Sequence, residues 1–386
     1  MTTTNIDYRF KILYAIGIIF VVSGHCGLPV QILTDWFPYY SFHLALFVFA
    51  SGYFYKPENE NHIFRYILKK IKTLLIPLYL YNLFYAMFVY CTHQFGFSLG
   101  QTISFQTLII EPWFGGGHQF VYNLGGWFVA PLFTLEIINI FFRFICNKLN
   151  IKKWKYHEFA YCILFFCIGL FGIHLAITNY DKNFLLLYRC AYFIPFFGVG
   201  QLYKQFLEKY DNKISSILYF SIIFLIQIIV SYYLGYIPSY TPAWIHDFNN
   251  GILLPFIVGF TGVAFWFRIS KILSPILSNN KYINIIADNA YSIMINQFLG
   301  FFLVKLFFAI MRIPNFDYGQ FKSFIWWYFY PGNGKHIGLI YLVAGIIVPI
   351  YIQKLITRIR YGYISYKNNH TLTIRPAEYL PNKNRT

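Results

Sequence analysis

Charged residues are scarce in this chain of 386 residues. Asp, Glu, Lys and Arg together make up 12% of it, whereas 58% is hydrophobic. So few charges cannot cover a surface in contact with water, which excludes a soluble protein. An aromatic content of 23% also excludes disorder. The apolar residues come in runs about as long as a bilayer is thick, so we expect a polytopic membrane protein.

Several motifs of soluble enzymes and pumps are also missing. The six cysteines form no CxxC pair and no zinc-ligand spacing, so we expect no metal site and no tightly bound cofactor. No GxxxxGKS, GxGxxG, HExxH or GxSxG sequence stands in a suitable context. These absences argue against ATP-driven transport, zinc-dependent hydrolysis and a serine nucleophile on a sharp turn.

The charge-poor runs predict an all-α bundle of ten membrane-spanning helices. Each run has about the 17 to 25 residues that a helix needs to cross the hydrocarbon. Because the runs are continuously apolar, without an alternation of period two, helices are favoured over a β-barrel. The predicted spans are residues 12–33, 38–55, 74–91, 124–142, 159–177, 184–203, 214–237, 251–267, 283–304 and, most weakly, 337–355.

The basic residues indicate the orientation of the bundle. There are 31 Lys and Arg against 14 acids, a formal net charge of +17. Most of them fall in alternate connections, those on the side of the N-terminus, and cytoplasmic loops carry such an excess. Both termini are therefore predicted to be cytoplasmic. Orientation explains the charge without a nucleic acid partner.

The chain shows no boundary between domains. It has no internal repeat, low-complexity tract or Gly/Ser linker. We expect one transmembrane domain over residues 1–360 and a short polar cytoplasmic tail over residues 361–386. The outer connections, residues 92–123 and 311–336, carry Gly, Trp and Tyr. Such loops suit a cap over a site that faces outward.

Two histidines lie inside predicted spans. His25 is near the outer end of the first span and His43 near the outer start of the second, so a short connection should place the two imidazoles at one depth. Histidine can take a proton from an alcohol and return it near neutral pH, as acyl transfer onto a hydroxyl requires. The alternative is a pair of interfacial histidines at helix ends.

Glu136 and Arg189 are charged residues that also lie inside predicted spans. Glu136 is in the middle of a span and needs a partner, for which Arg189, Lys11 or a histidine is a candidate. The resulting ion pair can be structural or catalytic. Arg189 lies only a few residues from the outer end of its span, where its side chain can also snorkel to the interface.

Further polar residues have structural explanations beside functional ones. Asp288 and Asn289 fall near the inner start of the ninth span, where both can be polar groups at a helix end, and we favour this role for Asp288. Asn296 and Gln297 are amides in mid-span that can bond across helices. A basic run near the third span suits the phosphates of coenzyme A, but orientation and anionic lipid also explain it. That run contains Arg65, Lys69, Lys70 and Lys72.

The order of these residues resembles that of the membrane-bound acyltransferase 3 family. These are multi-span bacterial proteins that acylate, most often acetylate, sugars of surface polysaccharides. The matching stretches are FKILYAIGIIFVVSGH through His25, FHLALFVFASGYFYK from Phe42, GGWFVAPLFTLE through Glu136, RCAYFIPFFGVG from Arg189, and ADNAYSIMINQF. The third of these, through Glu136, is similar to the branch of the family that includes fucose 4-O-acetylases.

Two positions depart from the family pattern. The family's first helix carries an arginine eleven positions before the histidine regarded as catalytic; His25 matches the histidine and Tyr14 stands at the arginine position. Eleven helical residues put both positions on one face, about 16 Å apart. Lys11 lies within about 40° of that face and is a candidate replacement for the cation. Gln297 stands where many relatives have histidine.

The resemblance implies a bacterial inner-membrane O-acyltransferase. It would move an acetyl or other acyl group from cytoplasmic acyl-coenzyme A to a sugar hydroxyl of a surface or lipid-linked polysaccharide. His25 would act as general base, with His43 positioning or sharing the proton, and Trp127 would stack on the sugar. The residues expected to meet the donor's phosphates are Lys11, Lys69, Lys70 and Lys72.

Two other functions stay open at this point. The first is a non-enzymatic exporter of polysaccharide or lipid-linked sugar, because polar residues in a bundle suit both roles and Tyr14 in place of arginine fits lost chemistry. The second is a secondary transporter of small molecules, although these often show inverted repeats that this sequence lacks.

Overall fold

The computed structural model describes residues 6–26, 33–114, 118–151, 154–334 and 337–372, with side chains up to residue 359 except that of residue 333. Parts of the predicted outer loops (115–117 and 335–336), the end of the first predicted span (27–32), and residues 373–386 of the predicted tail lie outside this description. Within the described ranges the fold consists of helices and connections, without a strand.

The protein is an all-α polytopic membrane bundle. In the described part of the chain, nine helices are long and apolar enough to cross a membrane, and they coincide with nine of the ten predicted spans. With two shorter helices, α2 and α9, they are in chain order α1 (Tyr8–His25), α2 (His43–Tyr53), α3 (Ile63–Gln94), α4 (Leu124–Lys148), α5 (His157–Thr178), α6 (Lys182–Asp211), α7 (Ser216–Leu234), α8 (Leu254–Leu277), α9 (Lys281–Asp288), α10 (Ala290–Ile310) and α11 (Gly338–Leu372).

Helix α2 replaces the predicted second span and is shorter than it. Its 11 residues make a rise of about 16 Å, and a 3-10 turn at Tyr39–Ser41 precedes it. It runs antiparallel to α1. Tyr39 contacts Phe20 near the outer end of α1, and at the other end Tyr53 packs on Phe10. The predicted span, residues 38–55, is too long because the hydropathy of the turn before His43 is that of a membrane-spanning segment.

Several predicted span boundaries are wrong by one or more turns. Helix α3 begins at Ile63 and passes through a π-helical turn at Ile71–Leu75, so the predicted basic loop is the first part of a helix. The predicted ninth span is broken at Asn289, which has φ −106° and ψ 12°. Asp288 therefore ends a helix, as favoured from the sequence. Helix α11 continues to Leu372, beyond the predicted start of the tail at residue 361.

Two glycines let α2 and α6 pack with their backbones in contact. A Cβ atom on Gly52 would overlap the carbonyl oxygen of Phe197, and one on Gly200 would overlap the carbonyl oxygen of Phe49. Small residues allow this close approach between helices in membranes. The contact holds the inner half of α2 against α6. It thereby fixes the position of His43 at the outer end of α2.

We expect Gly52→Ala and Gly200→Ala each to destabilise the bundle by about 1–3 kcal/mol, because the added methyl meets backbone that cannot move aside. The matched control is Gly126→Ala, whose Cβ would meet no backbone but the side-chain ends of Leu78, Ile295 and Asn123 at 3.3, 3.4 and 4.0 Å. Thermal unfolding in detergent micelles measures the difference. Equal midpoints for all three variants would contradict the backbone contact.

Candidate active site

A cavity of about 360 Å³ lies where α1 ends and α2 begins, on the face predicted to be external. Its volume is in the range of small-molecule binding sites. It is lined by apolar residues together with three imidazoles and three indoles: His25, His43, His118, Trp127, Trp244 and Trp326. The structure thus brings together His25, His43 and Trp127, which the sequence analysis selected separately.

The carboxamide of Gln297 determines which nitrogen of His25 carries hydrogen. Its Nε2 lies 3.0 Å from the carbonyl oxygen of Met294, and a carbonyl only accepts, so the amide nitrogen must face it. Its Oε1 therefore faces Nδ1 of His25 at 3.1 Å, and Nδ1 must donate. In the neutral ring the lone pair is then on Nε2, for which the described residues provide no hydrogen-bond partner. This tautomer can accept a proton through Nε2.

His43 is held in the same tautomer by the backbone. Its Nδ1 lies 2.5 Å from the carbonyl oxygen of Tyr39, so Nδ1 donates and Nε2 is free to accept. The ring of Tyr40 lies beside both imidazoles, with its centroid 6.5 Å from that of His25 and 5.5 Å from that of His43. The Tyr40 hydroxyl donates to the carbonyl of Gly24 at 2.8 Å. The two histidines therefore share one aromatic cavity wall.

His118 is a third imidazole of the cavity, and it is not among the residues predicted from the sequence. It lies in an outer loop and packs edge-on against Trp244, with ring centroids 5.4 Å apart. Burial, with a smaller effect from the positive charge of Arg189, lowers the pKa of His118 to about 4. Among the described residues, no three His, Cys, Asp or Glu side chains are grouped closely enough to hold a metal ion. The only sequence signal for His118 was its place in an aromatic loop.

Arg189 lies behind the cavity wall and does not snorkel. Its side chain is 2% exposed, its Nη2 donates to the carbonyl of Ala243 at 2.8 Å, and its guanidinium lies 4.4 Å from the ring centroid of Trp127. Trp127 and Ala243 both line the cavity. Arg189 thus covers one face of the Trp127 ring and leaves less of this indole for the predicted stacking on a sugar.

Glu136 is buried in the bundle and forms an ion pair with Lys70. The Oε2–Nζ distance is 2.5 Å, Glu136 is 1% exposed, and Ser51 donates to the other carboxylate oxygen. The partner is therefore none of the candidates named from the sequence, Arg189, Lys11 or a histidine. The reason is that α3 begins earlier than predicted and carries Lys70 into the bundle.

The other basic residues of this run point elsewhere. Lys69 and Lys72 are exposed on α3, so Lys70 alone of the three turns inward. Lys11 pairs with Asp288 at the end of α9 and does not line the cavity.

Two further predicted site residues also lie away from the cavity. Tyr14 stacks on Phe47 with ring centroids 5.5 Å apart. Asn289 donates from Nδ2 to the carbonyl of Ile285 at 2.7 Å. Both contacts are structural.

A second cavity, of about 560 Å³, lies at the opposite end of α2. Gly52 and Tyr55 line it from α2 and the turn that follows, Lys56 and Lys204 provide basic groups on its walls, and Glu58 provides an acidic one. Glu158, which also lines it, is neutralised by a buried two-pronged pair with Arg143 at 2.7 and 2.6 Å. Helix α2 therefore separates a histidine-lined cavity from a lysine-lined one.

Comparison with protein families identifies the chain. Residues 7–329 match the family model described as an acyltransferase domain, acyltransferase 3. The chain belongs to the acyltransferase 3 family. The match includes α1, α2 and every residue that lines the histidine cavity. No curated protein and no solved structure matches this acyltransferase. It is a multi-pass membrane acyltransferase.

We expect Lys70→Met to destabilise this acyltransferase by roughly 3 kcal/mol, because it leaves the carboxylate of Glu136 buried without its partner. Lys69→Met and Lys72→Met are matched controls: they remove the same charge from exposed positions of the same helix and should cost less than about 0.5 kcal/mol. Thermal unfolding in detergent measures all three. A Lys70→Met midpoint equal to those of the controls would contradict the buried pair.

We expect His118 to make the folded state sensitive to acid. Its pKa of about 4 lies below the ordinary value of 6.5, so between these pH values the unfolded chain binds a proton that the folded chain does not, and stability falls as pH falls. His118→Gln should therefore lose less thermal stability than wild type between pH 6.5 and 4.5. His174→Gln, on the exposed side of α5, is the control. An unchanged pH dependence in His118→Gln would refute the assignment.

Proposed function

We propose that this acyltransferase is an O-acyltransferase, in the first place an O-acetyltransferase, that transfers an acyl group from acyl-coenzyme A to a sugar hydroxyl of a cell-surface or lipid-linked polysaccharide. The observation that carries the proposal is the Nε2 lone pair of His25, which the Gln297 carboxamide fixes in a cavity beside a second acceptor imidazole. The acceptor glycan and the bacterial inner membrane as location are parts of the proposal.

His25 would act as the general base. Its Nε2 takes the proton from the acceptor hydroxyl, the resulting oxygen nucleophile forms the new ester bond, and the proton passes to the departing thiolate of coenzyme A. Such proton transfer contributes about 10²- to 10⁴-fold to a rate. The hydrogen bond from Nδ1 to Gln297 disperses the charge of the imidazolium while it holds the proton. His43 would position the hydroxyl or share the proton.

The aromatic cavity walls support a carbohydrate acceptor. Indole rings offer flat apolar faces with a polar edge, which suits the mixed surface of a sugar. Trp127 stays part of this proposal, although Arg189 covers one of its faces. Trp244 and Trp326 are 48% and 42% exposed while they line the cavity, so they present more free surface.

The donor would approach from the face predicted to be cytoplasmic, where coenzyme A is found. Lys69 and Lys72 are exposed there and are proposed to attract its phosphates. Lys70 and Lys11 are engaged in ion pairs with Glu136 and Asp288, which leaves them less suited to this role than the sequence analysis expected. The second cavity, which Lys56 and Lys204 line at the other end of α2, is the proposed entry site of the donor.

We expect His25→Ala to lower the O-acyl ester content of the surface glycan by at least 100-fold, because the general base is lost. Gln297→Leu should lower the ester content less, because it keeps the imidazole of His25 and removes only the hydrogen bond that fixes its tautomer. His174→Ala, outside the cavity, is the matched control. NMR of purified glycan reads the ester proton signals, and immunoblots of membranes verify equal insertion.

A fully acylated glycan from His25→Ala cells would remove the central assignment. The glycan of cells that lack the protein distinguishes the acyltransferase from an exporter. Missing esters with normal export support the acyltransferase, whereas intact esters on polymer retained inside the cell would support an exporter.

A further inference from the structure

Lys305 is a buried lysine that the proposed chemistry does not use. It lies on α10, within a membrane-spanning segment, and is 2% exposed. Among the described residues no carboxylate lies within salt-bridge distance of its ammonium. A lysine inside a span costs at least a few kcal/mol unless its charge is compensated, so its position calls for an explanation.

The ammonium of Lys305 is compensated by one short stretch of the outer loop. Its Nζ donates to the carbonyl oxygens of Ile325 at 3.0 Å and of Trp327 at 3.1 Å. It also lies 5.1 Å from the ring centroid of Tyr328. Two charge-assisted hydrogen bonds and a cation–π contact thus join one cation to three positions within four residues.

The residues of this stretch form the wall over His25. Trp326 stands between the two carbonyls bound by Lys305, and its ring lies 5.7 Å from the His25 imidazole and 5.4 Å from Phe298. Trp326 lines the cavity while 42% of it is exposed, so it separates the cavity from the outside. The Tyr328 hydroxyl donates to the backbone carbonyl of His25.

We propose that Lys305 is a positioning residue of this acyltransferase: it fastens residues 324–330, the outer-wall segment, so that Trp326 and Tyr328 close the cavity over His25 and hold the histidine in place. The access of substrate to the cavity and the orientation of His25 then both depend on the Lys305 ammonium, although this ammonium binds loop carbonyls and does not itself line the cavity. The link to turnover rests on the proposed function, whereas the fastening itself does not.

The effect of removing the ammonium should be local. Lys305→Met keeps the length of the side chain but leaves two carbonyls without their donor. Other contacts still hold the ends of the segment: the Phe324 N–H donates to the Gln320 carbonyl at 2.9 Å at one end, and at the other the Tyr341 hydroxyl donates to the Phe329 carbonyl at 3.2 Å and the Tyr330 hydroxyl to the Cys26 carbonyl at 3.4 Å. The segment should therefore open around Trp326 while the bundle stays folded.

Hydrogen exchange and histidine modification test the fastening in the purified full-length protein. In Lys305→Met we expect amide exchange in residues 324–330 to rise at least tenfold and carbethoxylation of His25 by diethyl pyrocarbonate, mapped by peptide mass spectrometry, to rise at least fivefold. Lys305→Arg, which keeps a donor cation, should restore most of the protection. Lys322→Met removes a lysine from the same end of the bundle and should leave both readouts unchanged.

Unchanged exchange in residues 324–330 of Lys305→Met would overturn the proposal. Faster exchange spread evenly over the whole bundle would overturn it too, because it would show a general structural role. Should Lys305→Met fail to fold, Trp326→Ala and Tyr328→Phe remain: the first removes the wall and the second the bond to the His25 carbonyl. Each should speed carbethoxylation of His25, and wild-type rates in both would refute the assignment.

Glycan ester content separates this proposal from the proposed function. We expect it to fall at least fivefold in Lys305→Met and to recover in Lys305→Arg. If His25→Ala leaves the esters intact, the acyltransferase mechanism fails, and the exchange and carbethoxylation results still decide the role of Lys305. If His25→Ala removes the esters but Lys305→Met changes none of the three readouts, the mechanism holds and the positioning role fails.

Discussion

Every polar side chain inside this bundle needs a partner within the protein, because lipid provides none. The rest of the structure depends on how that need is met. Glu136 binds Lys70, Lys305 binds two loop carbonyls, and Gln297 bridges a backbone carbonyl and an imidazole. The contacts of Glu136 with Lys70 and of Gln297 with His25 join helices distant in the chain, and those of Lys305 join α10 to the connection that follows it, so each fixes the rotation of a helix or the course of a loop. The geometry around His25 is a product of these contacts.

The fold class could be predicted from the sequence because the transfer of apolar residues from water to lipid leaves long charge-poor runs. Helix ends could not, since backbone hydrogen bonding sets them and hydropathy does not report it. Residues 38–42 are apolar but form a turn, so α2 was predicted too long. The run before residue 74 is basic but helical, so the start of α3 was missed.

For the candidate site, the sequence indicated which residues are unusual in a membrane but seldom what they contact. His25 and His43 meet because α1 and α2 are consecutive antiparallel helices, joined at the ends that carry the two histidines. His118 joins them from a loop whose path depends on the whole bundle, and no pattern in the sequence reports that path. The predicted partner of Glu136 is wrong for a related reason. The sequence places Lys70 in a loop, and only the helical phase of α3 shows that Lys70 points into the bundle while Lys69 points out of it.

The shortness of α2 has a consequence for the permeability barrier. The cavities at its two ends are lined by Leu44 and Gly52, which are separated by eight residues or about 12 Å along the axis. The hydrocarbon of a bilayer is about 30 Å thick. The septum between the two cavities is thus less than half a bilayer deep at this point, so a group that passes from one cavity to the other has less than half of the hydrocarbon thickness to cross.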